Sequence, residues 1–304
     1  MRKFDSINRV TVMGAGLLGS QIAMQAAFHG KEVVIYDAFP EALDKLSERW
    51  EWMRYHYQKD LGNAYSEGRF EDAVARVSTS GDLAEALKNA DIVIEAVPEN
   101  LELKRKVWKQ IGEVAPDKTL FATNTSSLLP STFAEASGHP EKLVAIHYAN
   151  MIWINNLAEV MGTEQTSAEA VEGARKYAEE TGMVVSVIHK EQPGYFTNSL
   201  LIPFLHAAGK LYINGVGDPE EIDRNWSLAT SMAIGPFAGF DIVGFRVAAN
   251  IASADEDPDV RRFGEFLQEA IEEGYTGRES RQGFYYYDED GNKLGAVEKW
   301  NRYS

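Results

Sequence analysis

The chain has 304 residues, enough for one large domain or two modest ones. It is 44% hydrophobic and 25% charged, an ordinary balance for a globular protein, and no apolar run approaches the roughly 18 residues of a membrane helix. A net charge of −16 excludes a broad basic face for nucleic acid, and the lack of cysteine excludes disulfides, thiolate metal sites and a cysteine nucleophile. The same lack fits a reducing cytoplasm. Residues 1–8 show neither an apolar core nor a cleavage pattern, so no leader is expected.

Val10 to Met13 is a short apolar run that reads as a buried strand, and Gly14, Gly16 and Gly19 follow it as G-x-G-x-x-G. An Ala-rich run from Ser20 to Phe28 reads as a helix, with Gly30 as its stop. Val33 to Tyr36 reads as a second strand and ends on Asp37. Strand, glycine turn, helix and an acid about twenty residues on form the full dinucleotide-binding context. In that reading Gly14 permits the turn, Gly16 lets backbone approach a pyrophosphate, and Gly19 lets the helix pack on the strand. The amides of Leu17 and Leu18 open the helix toward the phosphates. Asp37 accepts from the ribose hydroxyls, and its charge repels a 2′-phosphate, so NAD is favoured over NADP.

Glu41 to Lys59 carries Leu43, Leu46, Trp50, Met53 and Tyr57 at helical spacing, and Phe70 to Val77 reads as a second helix of the same excursion. Val77 to Thr79 reads as a strand and Asp82 as an N-cap for 83–88. Ala90 to Val97 is a buried parallel strand, Glu99 to Val114 a helix, and Thr119 to Ala122 a strand. Thr132 to Ala136 reads as a short helix and Leu143 to His147 as a strand. Leu157 to Met161 and Val184 to Ile188 extend the sheet around the helix 168–180. This alternation predicts a Rossmann-like, doubly wound, mostly parallel α/β sheet.

After Pro193-Gly194 the pattern turns helical: 195–213, 219–230, 237–252 and 257–273, with a hairpin at Asp290-Gly291 near the end. The expected division is an NAD-binding domain over 1–191 and a C-terminal all-helical domain over 192–304.

Asn124-Thr125-Ser126-Ser127 stands at the carboxyl end of a strand, where ligands bind in open α/β sheets. On its own this segment reads rather as a strand-end turn whose polar residues cap backbone. His147 ends the next strand, and Glu159 sits in an apolar run where a carboxylate is costly unless paired. If the chain folds back between them, Glu159 can fix the imidazole tautomer. Asn198 can donate to a substrate or cap backbone. No histidine pair has metal-ligand spacing, so no metal is expected.

These residues carry a resemblance to the 3-hydroxyacyl-CoA dehydrogenase family over nearly the whole chain. The segments are G-A-G-L-L-G-S-Q-I-A, E-A-V-P-E-N-L-E-L-K, A-T-N-T-S-S-L, His147 with Glu159, P-G-Y-F-T-N-S-L-L, A-I-G-P-F-A-G-F-D-I-V-G and G-R-E-S-R-Q-G-F-Y-Y-Y. The resemblance implies NAD-dependent oxidation of a short L-3-hydroxyacyl thioester in fatty acid metabolism by a cytoplasmic homodimer. By resemblance His147 takes the hydroxyl proton while hydride leaves for the nicotinamide. Glu159 then orients His147, Ser126 and Asn198 bind substrate oxygens, and Glu99, Lys104 and Asn124 lie near the cofactor.

Four differences from the family bear on the substrate. His147-Tyr148-Ala149-Asn150-Met151 lacks the family proline, and Ile152-Trp153-Ile154-Asn155-Asn156 replaces its substrate loop. Asn198-Ser199 lacks the family arginine. The excursion mixes Glu48, Glu51, Glu71 and Asp72 with Lys45, Arg49, Arg54 and Lys59, a poor host for a polyphosphate. A small non-CoA hydroxy acid such as carnitine or gulonate therefore stands as an alternative, in which Trp153 could face a trimethylammonium by cation–π attraction, although plain loop packing is the favoured reading of that residue. A catalytically idle, crystallin-like NAD-binding protein is the alternative of another class.

Overall fold

The computed structural model describes Phe4, residues 6–62, Tyr65 and residues 68–302. Some of the opening residues read for a leader lie outside the described residues. The chain divides into two compact units, Met1–Phe196 and Thr197–Ser304.

The first unit is an eight-stranded sheet flanked by helices. Its strands are β1 (Arg9–Met13), β2 (Glu32–Tyr36), β3 (Val77–Ser80), β4 (Ile92–Glu95), β5 (Leu120–Thr123), β6 (Leu143–Tyr148), β7 (Leu157–Gly162) and β8 (Val184–Ile188), in the order β3-β2-β1-β4-β5-β6-β7-β8. Its helices are α1 (Leu17–Phe28), α2 (Pro40–Asp44), α3 (Leu46–Leu61), α4 (Arg69–Ala75), α5 (Leu83–Leu87), α6 (Leu101–Val114) and α7 (Ala168–Glu180). The first six strands are parallel, and strand order reverses between β1 and β4, the crevice where such sheets bind ligands. Branched and apolar side chains fill β1, β4 and β5, which are buried on both faces as parallel strands must be.

β7 runs antiparallel to β6, and β8 runs parallel to β7. The link from β6 to β7 is only residues 149–156. A parallel return needs a crossover of roughly a dozen residues or more, so this link can only reverse the chain.

Two helices read as continuous are each split. The excursion after β2 breaks at Lys45, between α2 and α3. In the second unit the run 237–252 divides into α10 (Pro236–Val243) and α11 (Phe245–Ser253), because Gly244 adopts φ 87° and ends the first helix. α8 (Tyr195–Ile213), α9 (Pro219–Thr230) and α12 (Pro258–Glu272) complete its helices. A hairpin of β9 (Tyr285–Tyr287) and β10 (Lys293–Ala296) follows, so this unit is mainly rather than wholly helical.

Two buried carboxylates stitch the second unit together. Asp223 accepts from the Phe237 and Ala238 amides and the Tyr285 hydroxyl. Asp241 accepts from the Phe284 and Tyr285 amides and the Tyr287 hydroxyl. Burial pushes the Asp241 carboxyl up to about 7 against these donors. Phe284, Tyr285 and Tyr287 of the aromatic run near the C-terminus are thus core, with both tyrosine hydroxyls absorbed by two acids, while Tyr286 is exposed.

Candidate active site

The glycine turn lies at the switch point. Gly14 has φ 113°, and a Cβ there would stand 2.8 Å from the Ala96 carbonyl oxygen just after β4. A Cβ on Gly16 would meet only open space, so that glycine keeps clear the side from which a ligand approaches. A Cβ on Gly19 would overlap the Gly14 carbonyl oxygen. The third glycine therefore lets the first turn of α1 lie close against the chain leaving β1 and β4. α1 starts at Leu17, with Gly16 as an N-cap that makes no side-chain bond. Its first amides, those of Leu17 and Leu18 included, have no partner within the helix. Asp37 ends β2 and accepts from the Ala15 amide at 2.8 Å and the Phe39 amide at 3.0 Å. A helix end whose first amides lack helical partners, an open glycine and a carboxylate directly after β2 together fit NAD.

Arg49, on α3, donates to the Ala15 carbonyl, so an arginine does stand at this turn. We expect Asp37→Ala to erode discrimination against NADPH by about tenfold or more, since it removes a carboxylate that repels a 2′-phosphate. Kinetics with both cofactors checks this. An unchanged NADH/NADPH ratio would mean that Asp37 does not reach the ribose.

Glu95, at the end of β4, is fully buried and gathers four donors. These are the Val97 amide at 3.0 Å, Lys104 Nζ at 2.7 Å, Trp108 Nε1 at 3.2 Å and Thr123 Oγ1 at 2.8 Å. Lys104 is 1% exposed and also faces Glu99 at 3.3 Å. Lys104 was expected beside the cofactor. The structure places it in the core, so it acts on the site only through the carboxylates it holds.

Glu99 binds the loop after β5. Its Oε1 accepts from the Thr125 hydroxyl at 2.7 Å and from the amides of Ser126, Ser127 and Leu128 at 3.0, 2.7 and 3.0 Å. Burial works to raise this carboxyl, but the Ser127 amide, the Thr125 hydroxyl and Lys104 outweigh it and bring it down to about 2. Asn124 Oδ1 accepts from the Tyr148 amide at 3.0 Å, which ties this loop to the end of β6.

His147 and Glu159 are direct cross-strand partners on β6 and β7. Nδ1 of His147 lies 3.0 Å from Glu159 Oε2. A carboxylate only accepts, so Nδ1 carries the proton and Nε2 is left as the basic nitrogen. Glu159 is 1% exposed, and its Oε1 accepts from the Phe196 amide at 2.9 Å. The Tyr195 ring stacks on the imidazole, with centroids 4.4 Å apart and planes 8° apart. The sequence quoted Tyr195 only as part of a motif. Asn198 falls in the second unit, in the first turn of α8.

The link between β6 and β7 is docked on the excursion. Trp153 is 5% exposed, donates to Asp60 Oδ2 at 2.8 Å and packs on Tyr57 and Trp52. Its faces are covered by protein, which agrees with the plain loop packing that the sequence favoured over contact with a ligand cation. The Met151 amide donates to Gln21 Oε1 on α1 at 2.8 Å.

Residues 9–192 match the profile described as the 3-hydroxyacyl-CoA dehydrogenase NAD binding domain, and residues 194–287 match the C-terminal domain of the same family. The human mitochondrial hydroxyacyl-coenzyme A dehydrogenase is 31% identical over 92% of this chain and 91% of its own. A solved diketoreductase, described as performing substrate-directed dual catalysis of dicarbonyl compounds, is 46% identical with a TM-score of 0.89, covering 93% of this chain and 99% of its own. The (S)-3-hydroxybutyryl-CoA dehydrogenase of Ralstonia eutropha is 29% identical with a TM-score of 0.80, covering 93% of this chain and 100% of its own.

Proposed function

This chain belongs to the 3-hydroxyacyl-CoA dehydrogenase family, and from that premise we propose that it interconverts a short L-3-hydroxyacyl-CoA and its 3-keto form, with His147 as the base. It is an NAD-dependent oxidoreductase. When bound, NAD supplies the hydride acceptor. The observation that carries the reading is the His147–Glu159 pair at the carboxyl end of β6, tied through Tyr148 and Asn124 to the loop bearing Ser126.

Nε2 of His147 takes the proton of the 3-hydroxyl as the C3–H bond breaks. Glu159 holds Nδ1–H and supports the imidazolium that forms. The Phe196 amide keeps the Glu159 carboxylate from turning away. Ser126 presents its hydroxyl to a substrate oxygen, and Glu99 holds the Ser126 backbone for that task. The same reading makes the protein a cytoplasmic homodimer. Leu200, Leu228 and Met232 expose apolar surface on the second unit, of the kind a partner covers.

A second reading, a compact dicarbonyl or free hydroxy acid, is favoured by the 46% identity to the diketoreductase together with the replaced loop at 152–156. NADH oxidation with acetoacetyl-CoA, free acetoacetate, 3-dehydrocarnitine and a small β-diketo ester separates the two. We expect saturable turnover of the thioester at a KM in the micromolar range, about 1 μM to 1 mM for enzymes generally. Turnover of the small dicarbonyls alone would leave the chemistry at His147 in place and replace the substrate.

A further inference from the structure

Tyr195 adopts φ 55° directly after Gly194 at φ 76°. Two successive left-handed residues turn the chain sharply as it enters α8. Glycine takes that conformation freely, but a residue with a bulky side chain does so at a cost and persists there only when its surroundings hold it. What holds Tyr195 is the chemistry of the site. Its ring is 1% exposed and lies parallel to the His147 imidazole. Its hydroxyl donates to the Thr125 carbonyl at 2.8 Å, between Asn124 and Ser126. The next amide, that of Phe196, donates to Glu159. Burial, with Glu99 and Glu159 nearby, pushes the Tyr195 phenol well above its usual range, so it remains a neutral donor.

The buried apolar residues clustered with Tyr195 are Ala145, Met161 and Ile188. Centroids 4.4 Å apart in nearly parallel planes describe an offset stack of the two rings. A parallel ring is best matched to a cation above its face, which is what the imidazole becomes once it has taken a proton.

We infer that Tyr195 is a positioning residue for the reaction: its ring sets the plane of His147 and steadies the imidazolium, while its hydroxyl fixes the Asn124–Ser126 loop to the same element. The inference rests on His147 being the base. The two roles separate by substitution. Tyr195→Phe keeps the stack and loses the tether. It should raise KM for the carbonyl substrate and leave kcat and the acid limb of the pH–rate profile in place. Tyr195→Leu loses both. It should lower kcat by about tenfold or more, the scale of a misplaced catalytic group, and move the acid limb of hydroxyl oxidation to lower pH. NADH titration confirms that each variant is folded.

A folded Tyr195→Leu enzyme with wild-type kcat and an unmoved acid limb would overturn the inference. So would Phe and Leu variants with equal losses, which would make the ring irrelevant. A third readout needs no variant of Tyr195. The His147 ring protons, assigned by their loss in His147→Gln, should resonate upfield of the other histidines because of the stacked ring. Ordinary positions would mean the stack is not present in solution. If His147→Gln itself retains turnover, the functional reading fails, and this resonance still reports on the stack alone.

Discussion

His147→Gln leaves NADH binding intact and lowers kcat by at least about a hundredfold, the scale of losing a general base. Glutamine keeps much of the side-chain volume and can still donate to Glu159, so the sheet pairing at this position survives. It cannot take up a proton at the Nε2 position. The glycine turn and Asp37 lie at the ends of β1 and β2, on other strands than β6, and the change leaves them alone. Fluorescence titration with NADH and steady-state kinetics with the best substrate of the panel read the two halves separately. Near-normal turnover would remove His147 from the role. Loss of NADH binding would mean that the substitution had disturbed the sheet, and a milder variant such as Glu159→Gln would then carry the test.

Lys104→Met destabilises the protein by about 3–5 kcal/mol, the range found when one partner of a buried ion pair is removed. Glu95 is 0% exposed and Lys104 1%, so the stranded carboxylate has no water to turn to. Glu99 loses its nearest cation in the same change. The companion double variant, Glu95→Gln with Lys104→Met, should recover most of the loss, because the amide keeps an acceptor for Trp108 and Thr123 without a buried charge. Denaturant unfolding of the three proteins without cofactor decides the matter. A single variant within about 1 kcal/mol of wild type would place this pair among solvent-screened ion pairs.

The dinucleotide turn was legible because its information is local: glycine spacing, an apolar run on either side, and an acid at a fixed distance. The parallel strands were legible for the same reason. What the residue pattern hid was non-local. The argument that a carboxylate in an apolar strand needs a partner applies to Glu95 as fully as to Glu159. Its partners, however, stand 9, 13 and 28 residues further on, and only the fold brings them together. Gly244 and Lys45 break helices whose apolar periodicity runs straight through them. Trp153 has a free-standing cation–π reading in the sequence, and its burial against α3 follows from the docking of a whole segment. Tyr195 depends on a backbone turn and a ring stack, neither of which leaves a trace in residue order.

The antiparallel step between β6 and β7 also separates inheritance of chemistry from inheritance of taste. Because His147 faces Glu159 in strand register, the facing of the two side chains is set by the ladder. Residues 149–156 lie outside that ladder and dock on α1 and α3 instead, through the Met151 amide and Trp153. A change of sequence within the link therefore leaves the strand register alone, whereas slipping the ladder by one residue would send the imidazole to the opposite face.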